Sequence, residues 1–146
     1  MTRRVLVDTN VLISYLLRPD TSGTVQAILR AFLEDRFTLL VPGALLQELL
    51  VTVRGRRRLA KRIPHQDLAN FIAVLEEFGE GVGEISEPIP KVTRDPKDDY
   101  LLAYALVGEA DYLITGDKDL LELQGQVAGL DILTPAQFID ILASNP

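Results

Sequence analysis

The stretch "RVLVDTNVLIS", residues 4–14, decides how the chain is read. Its first four residues are a short run, apolar after Arg4 and rich in β-branched side chains, the composition of a strand. The run ends abruptly at Asp8, and the apolar pattern resumes after Asn10 in "VLISYLL" (11–17), a short helix that must stop before Pro19. A strand that ends in a carboxylate and turns at once into a helix is the first unit of an alternating α/β fold. The placement also raises a chemical problem. An unpaired charge at the end of a buried strand is expensive, so something must compensate Asp8.

Working outward, the alternation continues. Residues 22–34 place Val25, Ile28, Leu29, Phe32 and Leu33 at helical spacing. "FTLLV" (37–41) reads as a strand and "PGALLQELLVTVRG" as a helix from about Pro42 to Gly55. Residues 65–78 form a helix opened by Pro64, with Leu68, Phe71, Ile72, Leu75 and Phe78 on one side. "GVGEI" (81–85) is a glycine-weakened strand. Asp95 caps the next helix with Pro96 at its first position. "DYLIT" (111–115) and "LDIL" (130–133) are strands, with a short helix in "GDKDLLEL" between them. Thr134, Pro135 and Gln137 have the spacing of a capping box for the closing helix. Short apolar strands alternating with helices imply a three-layer α/β/α sandwich. Its central sheet is mainly parallel, of about four to five strands. Nothing divides the chain, so residues 1–146 are expected to form a single domain.

Composition removes whole classes of chemistry. There is no cysteine, which excludes disulfides and thiolate sites, and the sole histidine, His65, cannot build a histidine-based metal centre or a serine–histidine triad. Catalysis must use carboxylates, hydroxyls and basic groups. No stretch reads as a signal peptide or a membrane span, so a cytoplasmic protein is expected. The net charge of −6 argues against nucleic acid as a partner, yet "RGRRRLAKR" (54–62) gathers six of the fifteen basic residues. Those six, Arg54, Arg56, Arg57, Arg58, Lys61 and Arg62, form either a solvated face or a surface for RNA or a partner.

In a parallel sheet, ligands bind off the carboxyl ends of the strands. Asp8 lies there, Asp117 follows the strand "YLIT", and Asp98 and Asp99 lie in the first turn of the preceding helix. Glu48 sits among Leu45, Leu46, Leu49 and Leu50, at the border of a buried stripe with no cation near in sequence. Each acid has a structural alternative. Asp8 and Asp117 can cap helices, Asp98 and Asp99 can face a helix dipole, and Glu48 can face solvent. Taken together at one sheet edge they would repel one another, unless a hard divalent cation such as Mg²⁺ or Mn²⁺ neutralises them.

These residues resemble the PIN-domain family. "VLVDTNVLIS", Glu48 in "LLQELL", "RDPKDDYLLAYAL", "ADYLITGDKDLL" and "ILTPAQF" follow in the family's order over about residues 4–140. They are most similar to its VapC-like toxin branch. The resemblance implies a Mg²⁺- or Mn²⁺-dependent endoribonuclease with Asp8, Glu48, Asp99 and Asp117 as catalytic acids. Of these, Asp8, Asp99 and Asp117 would hold the metal. Asn10, Thr115, Asp98 and Asp119 match polar positions around it, and Asp98, about 100° of helix from Asp99, is the alternative ligand. It also implies a homodimer, an RNA substrate and a cognate antitoxin. Two rivals remain open. A haloacid-dehalogenase-like phosphatase would need an acid where Asn10 stands, and a non-catalytic nucleic-acid or protein-binding module would use its acids only as caps.

Overall fold

The structure is a computed structural model that describes residues 2–144. It begins with β1 (Arg4–Val7), α1 (Thr9–Leu17) and α2 (Thr24–Leu33), followed by β2 (Thr38–Pro42) and α3 (Gly43–Gly55). Next come α4 (Arg57–Arg62), α5 (His65–Phe78), β3 (Glu80–Val82), α6 (Pro96–Val107) and β4 (Tyr112–Ile114). The chain closes with α7 (Lys118–Leu121), β5 (Asp131–Leu133) and α8 (Pro135–Ser144). The sheet is five-stranded in the order β3-β2-β1-β4-β5, and every pairing is parallel.

The order explains the apolar strands. β1 lies in the middle of the sheet, and Val5, Leu6 and Val7 are buried on both faces, as are Leu39, Leu40 and Val41 of β2 and Leu113 and Ile114 of β4. A strand covered on both sides cannot alternate apolar with polar residues. From β1 the chain steps outward to β2 and β3, then returns across the sheet to β4 and continues to β5. Right-handed crossovers therefore put the helices of these two excursions on opposite faces. The reversal at β1 and β4 is a topological switch point, where loops diverge and leave a crevice at the strands' carboxyl ends.

The expected caps are present. Asp95 Oδ1 accepts from the Lys97 N–H at 2.9 Å. Thr134 and Gln137 exchange two hydrogen bonds, of 2.9 and 3.1 Å, as a capping box does. Some expectations need correction. The basic segment contains a helix, α4, anchored by buried Leu59 and followed by buried Ile63. The strand expected at 81–85 is shorter and begins earlier, at Glu80. Leu33 and Phe78, each the last residue of its helix, are exposed rather than in the core. Arg4 fastens the opposite, amino-terminal edge by donating to the Gly108 carbonyl at 2.8 Å and to Glu80 at 3.1 Å.

Candidate metal centre

Asp8 follows β1 directly, and the residue is 8% exposed. One oxygen caps α1 by accepting from the Asn10 N–H at 3.4 Å, while the other accepts the Thr115 hydroxyl at 2.7 Å. Thr115 is fully buried just past β4 and its oxygen also accepts from the Asp117 N–H at 3.0 Å. This hydroxyl therefore links the ends of the two central strands. Asp117 in turn caps α7 by accepting from the Asp119 N–H at 2.8 Å. The capping and site readings are thus not rivals. A carboxylate has two oxygens, and a cap engages one of them.

The first turn of α6 corrects the expectation that Asp99 faces the cluster. Asp99 Oδ1 accepts from the backbone N–H groups of Val92 and Thr93, at 2.9 and 2.7 Å, and so fastens the preceding loop onto the helix. Burial pushes its carboxyl up, but those N–H groups, the Thr93 hydroxyl and Lys91 outweigh it and hold the group below its ordinary value. Asp98 is the residue turned toward Asp8 and Asp117. It is 5% exposed, and its Oδ2 is buried without a hydrogen-bond partner. Oxygens of Asp98, Asp117 and Asp119 lie within 4.8 Å of one another.

Burial pushes the Asp98 carboxyl up to about 7, helped by the charges of Asp117, Asp95 and Asp8 and by a hydrogen bond that the protonated carboxyl shares with Asp117. Asp8 is raised as well, chiefly by burial, with Thr115 and Asn10 opposing the shift and Glu48 and Asp117 adding to it. The consequence for stability has a definite sign. The metal-free folded chain keeps the Asp98 proton up to about pH 7, whereas a free aspartate releases it near 3.8. Between those values the folded state binds the extra proton, so this group's contribution is complete below the lower value and lost as pH rises through the upper one. In EDTA, Asp98→Asn is therefore expected to match the wild-type melting temperature near pH 4 and exceed it at pH 8. The corresponding difference in unfolding free energy at pH 8 should be on the order of 1–2 kcal/mol after solvent screening. Parallel melting temperatures across that range would show that Asp98 carries no such strain.

Glu48 enters the site from α3. Its Oε2 accepts the Thr9 hydroxyl at 3.2 Å, and Lys97 Nζ lies 3.8 Å from its Oε1. The cation that its sequence neighbours do not supply comes from α6. Lys97 was not singled out by its sequence, although it is the lysine of "DPKDD". Asp8, Asn10, Glu48, Lys97, Asp98 and Asp117 all line one cleft of about 810 Å³, which Asp99 does not. Arg56 reaches the same cleft, whereas Arg54, Arg57, Arg58, Lys61 and Arg62 lie on the exposed surface beyond it. None of the six forms an ion pair among the described residues. His65 is exposed and outside the cleft.

A buried carboxylate oxygen with no donor, facing other carboxylates, is a costly arrangement for a protein alone. It is a suitable one for a hard cation, which prefers oxygen ligands and favours the ionised form of each. The residues present therefore fit a divalent metal. Comparison with curated proteins gives no match. The family model described as PIN domain matches residues 4–119, a span from β1 into α7 that contains Asp8, Glu48, Asp98, Asp117 and Asp119. Members of that family are typically nucleases that use divalent metals. The chain belongs to the PIN-domain family.

Proposed function

We propose that the chain is a Mg²⁺- or Mn²⁺-dependent endoribonuclease that hydrolyses RNA phosphodiester bonds, with Asp8, Asp98 and Asp117 holding the metal. The observation that carries this reading is buried Asp98, whose Oδ2 no donor reaches and whose carboxylate lies within 4.8 Å of those of Asp117 and Asp119. When bound, the cation supplies a water of lowered pKa and neutralises charge on the phosphoryl group. The chain's own residues do the rest. Thr115 and the Asn10 N–H fix the Asp8 carboxylate in one orientation. Thr9 and Lys97 hold Glu48 at the wall of the cleft, where it orients the attacking water and accepts its proton. Lys97 and Arg56 attract the phosphate backbone to an otherwise repulsive acidic site, and Arg54, Arg57, Arg58, Lys61 and Arg62 extend that attraction along α4. Water adds to phosphorus, the bond to the 3′ oxygen breaks, and that oxygen takes up a proton. The products carry a 5′-phosphate and a 3′-hydroxyl.

The resemblance to VapC-like toxins extends the proposal to a cytoplasmic homodimer restrained by an antitoxin, a partner whose basic side chain would suit the acidic cleft. Among the described residues, no helix is long and apolar enough to cross a membrane. The test is incubation of purified chain with single-stranded RNA and tRNA, in Mn²⁺ or EDTA, followed by mapping of the ends. Cleavage is expected in Mn²⁺ alone. Mn²⁺ at about a hundred times its dissociation constant should also stabilise wild type by about 2.7 kcal/mol and leave Asp8→Asn unmoved. RNA binding without metal-dependent turnover would favour a non-catalytic module. A trapped phosphoryl-aspartate on Asp8 would favour a phosphatase.

A further inference from the structure

The cleft contains an aromatic pair that metal binding leaves unused. Tyr100 and Tyr104 are one turn apart on α6, both line the cleft, and their rings stack with centroids 6.2 Å apart at 27°. Tyr104 is 4% exposed and fixed in the core, while Tyr100 is 49% exposed. The inner ring thus supports the outer one, and the outer ring has an uncovered surface in the same cleft as the acids. A half-exposed tyrosine is ordinary by itself. This one shares a helix face with Lys97, three residues before it, and Asp98, about 200° round the helix, borders the same cleft. Gln47 and Arg56, from the α3 side, also line this cleft, whose volume of about 810 Å³ exceeds what an ion and a phosphate need. A flat ring, a cation for the backbone and side-chain hydrogen-bonding groups are together the chemistry that receives a nucleotide.

We propose that Tyr100 is a stacking platform for an unpaired nucleobase next to the scissile phosphate. The inference rests on the nuclease reading and narrows it. A paired base is already stacked inside its duplex and must be extruded before it can lie on Tyr100, so duplexes should be poor substrates. Stacking recognises a face that every base presents and is tolerant of sequence, and the ring does not distinguish RNA from DNA.

The test compares wild type, Tyr100→Ala and Tyr100→Phe in Mn²⁺ on a single-stranded RNA, the DNA of the same sequence, and a blunt RNA duplex. A set of single strands with one abasic residue moved along the cut region completes it. Tyr100→Ala is expected to raise KM about tenfold at nearly unchanged kcat, and Tyr100→Phe to stay within about twofold of wild type. An abasic residue at one position should cost wild type about tenfold and cost Tyr100→Ala nothing further. Unequal cleavage of the RNA and DNA single strands would assign that preference to groups other than Tyr100, provided Tyr100→Ala weakens both alike. The proposal is overturned if Tyr100→Ala matches wild type on the intact strand, if the abasic loss persists in the variant, or if duplex is cut as readily as single strand. If no nucleic acid is cut at all, the nuclease reading fails separately. Titration of a 2-aminopurine single strand then decides: quenching by wild type and not by Tyr100→Ala supports the platform, and no quenching by either overturns it.

Discussion

Asp98→Asn should reduce Mn²⁺-dependent cleavage by on the order of 10³-fold, about 4 kcal/mol of barrier, while Asp99→Asn should remain within a fewfold of wild type. The two residues are adjacent acids in one helical turn, and the difference follows from what each oxygen touches. Asp98 is buried with no donor reaching its Oδ2, and its carboxylate lies within 4.8 Å of those of Asp117 and Asp119. An amide there cannot replace the negative charge that a hard cation requires. Asp99 uses Oδ1 to receive two backbone N–H groups. Asparagine retains that oxygen and the loop keeps its anchor. Asp99→Ala removes the acceptor and leaves the Val92 and Thr93 N–H groups unpaired, so it should lower the melting temperature without abolishing turnover. Single-turnover rates of purified variants, with Mn²⁺ titrated in each, measure the comparison. Loss of cleavage in Asp99→Asn with Asp98→Asn active would return the metal to Asp99.

The second large effect lies beyond the span that matches the family. Phe138 in α8 is fully buried, meets Phe37 edge-on with centroids 5.2 Å apart, and lies 5.8 Å from the Tyr112 ring. Leu142 on the same helix is also buried, and α8 packs on α2 and β5. We propose that this segment belongs to one cooperative unit with the rest of the chain. Phe138→Ala should then cost about 3–5 kcal/mol, enough to exhaust much of the stability of a domain this size. Urea unfolding of metal-free protein provides the check. A single transition moved to lower urea supports one unit, whereas an early separate transition for α8 would divide the chain.

Much of this fold is written plainly in the residues. Central strands buried on both faces must be continuous apolar runs, so "VLV" and "FTLLV" could hardly be anything else. The caps at Asp95 and Thr134 depend on local chemistry and needed no tertiary knowledge. The carboxylates at the strand ends followed from the rule for parallel sheets. The choice between Asp98 and Asp99 did not follow, and the reason is burial. α6 buries Leu101, Leu102, Tyr104 and Ala105 within an arc of about 160°, but its exposed side carries Tyr100, Leu106 and Val107, so no polar face marks which side of the first turn meets the sheet. α4 was obscured for the opposite reason. Cations surround its one buried residue, Leu59, and one apolar anchor shows no period. The Glu48–Lys97 pair joins helices distant in the chain and becomes visible only once they are folded together.

The strand order bears on how the protein is made. β1 precedes the other four strands in the chain yet takes the middle place, with one neighbour ending at Pro42 and the other at Ile114. A ribosome that has released only the first half of the chain has released Asp8 and Glu48 without Asp98, Thr115 or Asp117. The nascent polypeptide can therefore sequester β1 against β2 long before it possesses a complete set of acids. Whatever activity these carboxylates confer therefore waits until synthesis has passed Asp117.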